Sequence, residues 1–108
     1  MNLKEMASNI GVDEGDFIEL LEMLVDVSLT DINNFEAGVD TGNYIDAAMS
    51  AHSIKGAAGN LGMTDISTTA AELEKAAKSS DQSQMPEKVD FLKKELSRLS
   101  DALKQVRS

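Results

Sequence analysis

The run Ala51-His52-Ser53-Ile54-Lys55-Gly56-Ala57-Ala58-Gly59-Asn60-Leu61-Gly62 decides how the rest of the chain is read. It holds the only histidine among the 108 residues. Wound at about 100° per residue, it splits into two faces. His52, Lys55, Gly56 and Gly59 fall together, because positions three and four apart are neighbours on a helix. One turn back, Ile45, Ala48 and Met49 extend that face. Ile54, Ala58 and Leu61 fall opposite, with Ala47 and Ala51, and can pack into a core. Each glycine inside a helix costs about 1 kcal/mol relative to alanine. Roughly 2 kcal/mol for Gly56 and Gly59 together is a noticeable share of a small domain's stability. Glycine also admits a second backbone or a ligand at close range. The arrangement predicts a histidine turned away from the core, beside a cation, on a face kept bare for whatever reacts with it.

Outward from this helix, both flanks read as further helix. Upstream, Asp40, Thr41 and Gly42 form a turn, with Asp40 or Thr41 as the cap of the histidine helix at 43–60. Residues 13–37 read as a long helix capped by Asp13, with Glu14 and Asp16 at the positive end of its dipole. Its apolar stripe is Phe17, Leu20, Leu21, Leu24, Val25, Ser28, Leu29, Ile32 and Phe35, wide enough for more than one neighbour. Gly38 is its expected stop. Residues 2–10 read as a short helix, with Asn2 and Glu5 spaced as a capping box and Gly11 at its end. Too short to be stable alone, it is expected across the end of a bundle.

Downstream, Leu61-Gly62 closes the histidine helix, with Gly62 in the left-handed conformation. Thr64 is the expected cap of a helix at 65–79, where Ile66, Ala70, Leu73 and Ala77 recur at helical spacing. Ser79 to Gln84 is polar and turn-like. Pro86 fits only a first turn, so the last helix starts at 84–86. Val89, Leu92, Leu96, Leu99, Leu103 and Val106 then follow at spacings of 3, 4, 3, 4 and 3. This a/d stripe serves either as the seam of a bundle or as the seam of a coiled-coil dimer. No stretch alternates apolar and polar residues as a strand does. Four long helices with short loops predict an all-α fold, an antiparallel up-down-up-down four-helix bundle with a short extra N-terminal helix, as a single domain over 1–108.

Composition narrows the function. Hydrophobic residues make up 42%, enough for a core, but with no Trp, one Tyr and three Phe that core must be aliphatic. Without cysteine there are no disulfides and no thiolate metal sites, which fits a reducing cytoplasm. No basic-then-apolar signal segment opens the sequence, and no apolar run approaches the ~18 residues of a membrane span. A formal net charge of −9 argues against nucleic acid as a partner. It serves solubility, or a face that selects a partner by charge.

His52, Lys55, Gly56 and Gly62 match the pattern H-x-x-K-G-x-x-x-x-x-G, and in this the chain resembles histidine-containing phosphotransfer (HPt) domains. Given a histidine, a Lys and two Gly at set offsets arise by chance on the order of once in a few thousand. Ala51, Ala57, Ala58 and Gly59 also suit the pattern. The resemblance implies the same helical bundle and a phosphohistidine carrier, with His52 phosphorylated and Lys55 steadying the phosphate. It implies a sensor histidine kinase and response-regulator receiver domains as partners, with Mg²⁺ on the receiver and no cofactor on this chain. The chemistry agrees: a neutral imidazole nitrogen is a nucleophile near neutral pH. A nearby cation favours a transferring phosphoryl group, whose charge is spread over three oxygens. Ile45, Ala48, Met49, Gly56 and Gly59 around His52 are the expected docking patch. Its small, apolar character suits a transient partner of modest area.

Glu74 is similar in its spacing from His52 to a glutamate that orients the reactive imidazole in the phosphotransfer domains of chemotaxis-type kinases. Those domains often carry a further histidine three residues earlier. Ala71 stands there in this chain, which tilts the reading towards a general relay module. Such a module would accept a phosphoryl group from a receiver aspartate and pass it to another receiver. The alternative is the phosphoacceptor of a chemotaxis-type kinase, loaded by an ATP-binding domain. No phosphate-cradling loop is present, so self-phosphorylation is not expected. A bundle that only binds or dimerises through its last helix is a third reading. A metal enzyme is the weakest, since one His, no Cys and no H-E-x-x-H or paired Glu-x-x-His leave only carboxylates. A monomer without membrane attachment is the expectation.

Overall fold

The fold is set by where helices stop. Gly42 and Gly62 both adopt positive φ, +76° and +74°. Each ends a long helix with a bond reaching back five residues, Asn43 N–H to Gly38 C=O at 2.7 Å and Met63 N–H to Ala58 C=O at 2.9 Å. A residue with a side chain would be strained at either point. These stops divide a computed structural model, which describes residues 1–107, into α1 (Leu3–Asn9), α2 (Glu14–Asp40), α3 (Tyr44–Asn60), α4 (Thr64–Lys78) and α5 (Met85–Arg107). Among the described residues there is no strand.

Caps explain the starts; two of them differ from the expectation, and so does one stop. Asn2 accepts from Glu5 N–H and Asp13 from Gly15 N–H, as expected of α1 and α2. The histidine helix is capped by Asn43, not by Asp40 or Thr41. The Asn43 side chain accepts from Asp46 N–H and donates to the Asp46 carboxylate. Thr41 instead closes α2, its hydroxyl donating to Ala37 C=O. Met63, which offers no side-chain bond, stands at the cap of α4, with Thr64 already inside the helix. Gly38 does not stop α2, which runs on to Asp40. It is buried where α2 crosses α3: a Cβ there would lie 2.9 Å from Asn43 O and 3.0 Å from Ala47 N.

α3 lies between α4 and α2 and packs extensively on both, while α5 contacts α2 and α4, and α1 rests on α2. Phe17, Leu21, Ile32, Ile54, Leu73, Leu92, Leu96 and Leu99 are almost wholly enclosed. Val89, Leu92, Leu96, Leu99 and Leu103 are all buried within the one chain, so the a/d stripe is the seam of this bundle. Val106, at its end, is half exposed. Leu20 and Leu29, expected in the α2 stripe, are exposed. That stripe is narrower than the apolar residues suggest, because hydrophobicity does not oblige a residue to be buried. Ion pairs bind α5 to its neighbours, Lys93 to Glu36 at 3.0 Å, Arg107 to Glu22, and Lys88 to Glu72 at 3.3 Å.

Candidate functional site

Ala47, Ala51, Ile54 and Ala58 anchor α3 in the core, each at most 1% exposed. That register turns the other side outward. His52 stands on it with its side chain 64% exposed, not enclosed among the leucines. Its Nδ1 lies 3.1 Å from Glu74 Oε2 on α4. A carboxylate only accepts, so Nδ1 carries the proton and donates, and the lone pair is left on Nε2, the ring nitrogen away from Glu74.

Glu74 is the hub. It is nearly enclosed, with 11% of its side chain exposed, yet it serves three partners. Lys55 Nζ lies 3.2 Å from Oε1, and Lys78 Nζ lies 3.2 Å from the same Oε2 that faces His52. Burial works to raise the Glu74 carboxyl. Hydrogen bonds from the Lys78 and Lys55 ammoniums, with their charge, outweigh it and hold the group below its usual value of 4.5. Glu74 is therefore a carboxylate, as the imidazole contact requires.

Sequence reasoning brought His52, Lys55 and Glu74 to one place, but missed Lys78. Its signal was its position four residues after Glu74 on one helix. The interface beneath is fastened by Ser67, whose hydroxyl donates to Lys55 C=O at 2.9 Å.

The expected docking patch is only partly as foreseen. Ile45 and Met49 are strongly exposed, 77% and 65%. Ala48 is buried, 7% exposed, because that side of α3 is shielded in the bundle. It contributes to a groove floor rather than to a free surface. Gly56 is open: a Cβ there would meet nothing within 4 Å. Gly59 differs, since its Cβ would come 3.2 Å from Ser67 Oγ. Its bareness accommodates the close approach of Ser67 on α4, and the residue is itself exposed. A groove of about 660 Å³ runs from His52 along Ile45, Ala48 and Met49 to Tyr44 and Ser80, with Glu74 and Lys78 on its other wall. Tyr44 Oη accepts a hydrogen bond from Gln82 at its far end. Among the described residues, no group of three or more His, Cys, Asp or Glu is placed to hold a metal ion.

A solvated imidazole oriented by a buried carboxylate, two ammoniums at the same carboxylate and an adjoining groove can accept and release a phosphoryl group. The family model of the Hpt domain matches residues 19–102 of this chain. The chain belongs to the Hpt domain family. As an Hpt domain it performs histidine phosphotransfer in phosphorelay signalling, a two-component process in which such domains meet receiver domains and kinases. No curated protein and no solved structure matches the chain. Among the described residues, no helix of this Hpt domain is long and apolar enough to cross a membrane.

Proposed function

We propose that His52 Nε2 is the phosphoacceptor of a relay. It takes the group from the aspartyl phosphate of a sensor kinase's receiver domain and hands it to a second receiver. The observation that carries this is the exposed ring fixed at Nδ1 by Glu74, with a groove alongside. Nε2 attacks phosphorus, the bond to the aspartate oxygen breaks, and the aspartate leaves as carboxylate. Nδ1 keeps its proton and the Glu74 carboxylate stabilises the imidazolium that results. Lys55 steadies the phosphoryl oxygens. The receiver brings Mg²⁺, so this chain is a carrier rather than a self-sufficient enzyme.

The partner docks over Ile45, Met49 and Gly56, with Ala48 below them. The Lys93–Glu36 and Arg107–Glu22 pairs support antiparallel packing of α2 and α5, and with it the up-down-up-down reading of α2 to α5 as one domain. A monomer fits an a/d seam buried within one chain, and a reducing cytoplasm fits the lack of cysteine.

The His52–Glu74 contact also favours a second reading, as phosphoacceptor of a chemotaxis-type kinase. One experiment separates the two. Wild type and His52→Gln are incubated with a phosphorylated receiver, and separately with an ATP-binding kinase domain and ATP. The relay reading expects acid-labile, base-stable label on wild type from the receiver and none on His52→Gln. Label from the kinase arm alone establishes the second reading instead, and label on His52→Gln defeats both.

A further inference from the structure

We infer that Lys78 is a second phosphate-binding residue, which Glu74 holds at the site until His52 is phosphorylated. The inference rests on His52 being the phosphoacceptor. Lys78 Nζ and His52 Nδ1 contact the same oxygen, Glu74 Oε2, at 3.2 and 3.1 Å. The ammonium is thus within two contact lengths of the ring. An ordinary i,i+4 pair on a helix surface is worth a few tenths of a kcal/mol and leaves its lysine in solvent. Here the carboxylate is nearly enclosed and faces the histidine, so the lysine head is kept beside it. The stem stays free, with 66% of the side chain exposed, and four flexible carbons can carry the ammonium across the groove that both residues line.

Charge gives the reason for movement. Before transfer, one carboxylate is shared by two ammoniums, and the neutral ring donates to it. Transfer breaks the phosphorus–oxygen bond to the donor aspartate and forms the bond to Nε2. Nδ1 keeps its proton, so the ring becomes cationic and carries a dianionic phosphoryl group. The imidazolium now satisfies Glu74, and Lys55 and Lys78 are both released. Two ammoniums match the dianion, and the five groups together become formally neutral. With Lys55 alone the phosphoryl group would keep an unmatched negative charge. Glu74 is the positioning residue in this exchange, and Lys78 acts on the phosphoryl oxygens.

The test uses the whole chain as wild type, Lys78→Gln, Lys78→Arg and Lys75→Gln. Each is loaded with phosphoramidate, a donor that needs no receiver. If wild type gains no phosphohistidine, the phosphoacceptor reading fails first and takes this inference with it. On the loaded proteins, phosphorus NMR follows the phosphoryl titration, and transfer is timed to the receiver that wild type loads fastest. Lys78→Gln should move the titration upward, since a lost cation disfavours the dianion. It should slow transfer about tenfold, less than the roughly 10²–10³-fold lost with an enclosed oxyanion donor, because Lys78 is largely solvated. Lys78→Arg should restore most of both, and Lys75→Gln should move neither. A wild-type titration and rate in Lys78→Gln would overturn the role, even if its melting temperature fell.

Discussion

Glu74 Oε2 and His52 Nδ1 meet at 3.1 Å across the α3–α4 interface, though the residues are 22 positions apart in sequence. The contact joins a nearly enclosed carboxylate to a ring that is mostly in solvent. One group is held within the bundle and the other stands open to solvent. The bundle thereby sets the ring's tautomer while leaving most of the ring in solvent.

Removing the carboxylate should therefore act on the ring before it acts on the fold. In wild type, nitrogen NMR should show His52 with the proton on Nδ1. Glu74→Ala should give a mixture of tautomers. Glu74→Gln retains an acceptor but not the charge that stabilises the imidazolium, a difference of about ten- to a hundredfold in the rate of loading. An unaltered tautomer and rate in both variants would remove Glu74 from the mechanism.

The same carboxylate predicts a dependence on pH. Its value in the folded chain lies below the usual 4.5, because the two lysines overcome burial. The unfolded chain therefore binds more protons at acidic pH, and the contribution of Glu74 to stability is fully present above 4.5. It is lost as pH falls through the folded value. The stability gap between wild type and Glu74→Gln should be widest well above 4.5 and should close as pH falls through the lowered folded value. Added salt should narrow it too, since Lys55 and Lys78 are partly solvated. Thermal melts of the pair across that range check this, and a gap indifferent to pH would contradict it.

How much of this was legible in the sequence depends on whether a residue's role is local. The exposure of His52 followed from helical phase, since Ala47, Ala51, Ile54 and Ala58 leave it only one direction. The closure at Gly62 followed from backbone chemistry. Ala48 was misplaced because it lies at the border of two faces, where the neighbouring helix decides burial. Leu20 and Leu29 were misplaced because an apolar side chain on a surface looks the same in sequence as one in a core. Gly38 was read as a stop because glycine serves both helix ends and helix crossings. Lys78 was missed because its partner matters only after folding sets Glu74 against His52.

Ser28 offers a prediction about stability alone. It is wholly buried, and its hydroxyl has no hydrogen-bond partner among the described residues. An unsatisfied buried polar group costs about 1–3 kcal/mol. Ser28→Ala removes it with little change in volume, and alanine is the better helix former. The variant should be at least as stable as wild type and up to about 1 kcal/mol more so by urea unfolding, with phosphotransfer unchanged. A loss above about 1 kcal/mol would mean that the hydroxyl is satisfied, by a bound water for example.

Gly38 and Gly56 are both helical glycines, and the structure predicts opposite results from filling them. At Gly38 a Cβ would press on Asn43 O and Ala47 N, both backbone atoms that cannot turn aside. Gly38→Ala should separate α2 from α3 and cost about 1–3 kcal/mol, despite the better helix propensity of alanine. At Gly56 an added Cβ would meet nothing within 4 Å, so a side chain can start there without a clash. Gly56→Leu should gain roughly 0.5–1 kcal/mol in helix propensity and melt higher than wild type. Its side chain would stand on the His52 face, which the proposed docking assigns to the receiver, so transfer from a receiver should fall at least tenfold. Loading by phosphoramidate, which needs no docking, should remain close to wild type. That divergence between the two donors identifies obstruction of a protein partner rather than damage to the histidine. Equal rates from a receiver in Gly56→Leu and wild type would mean that the partner docks elsewhere.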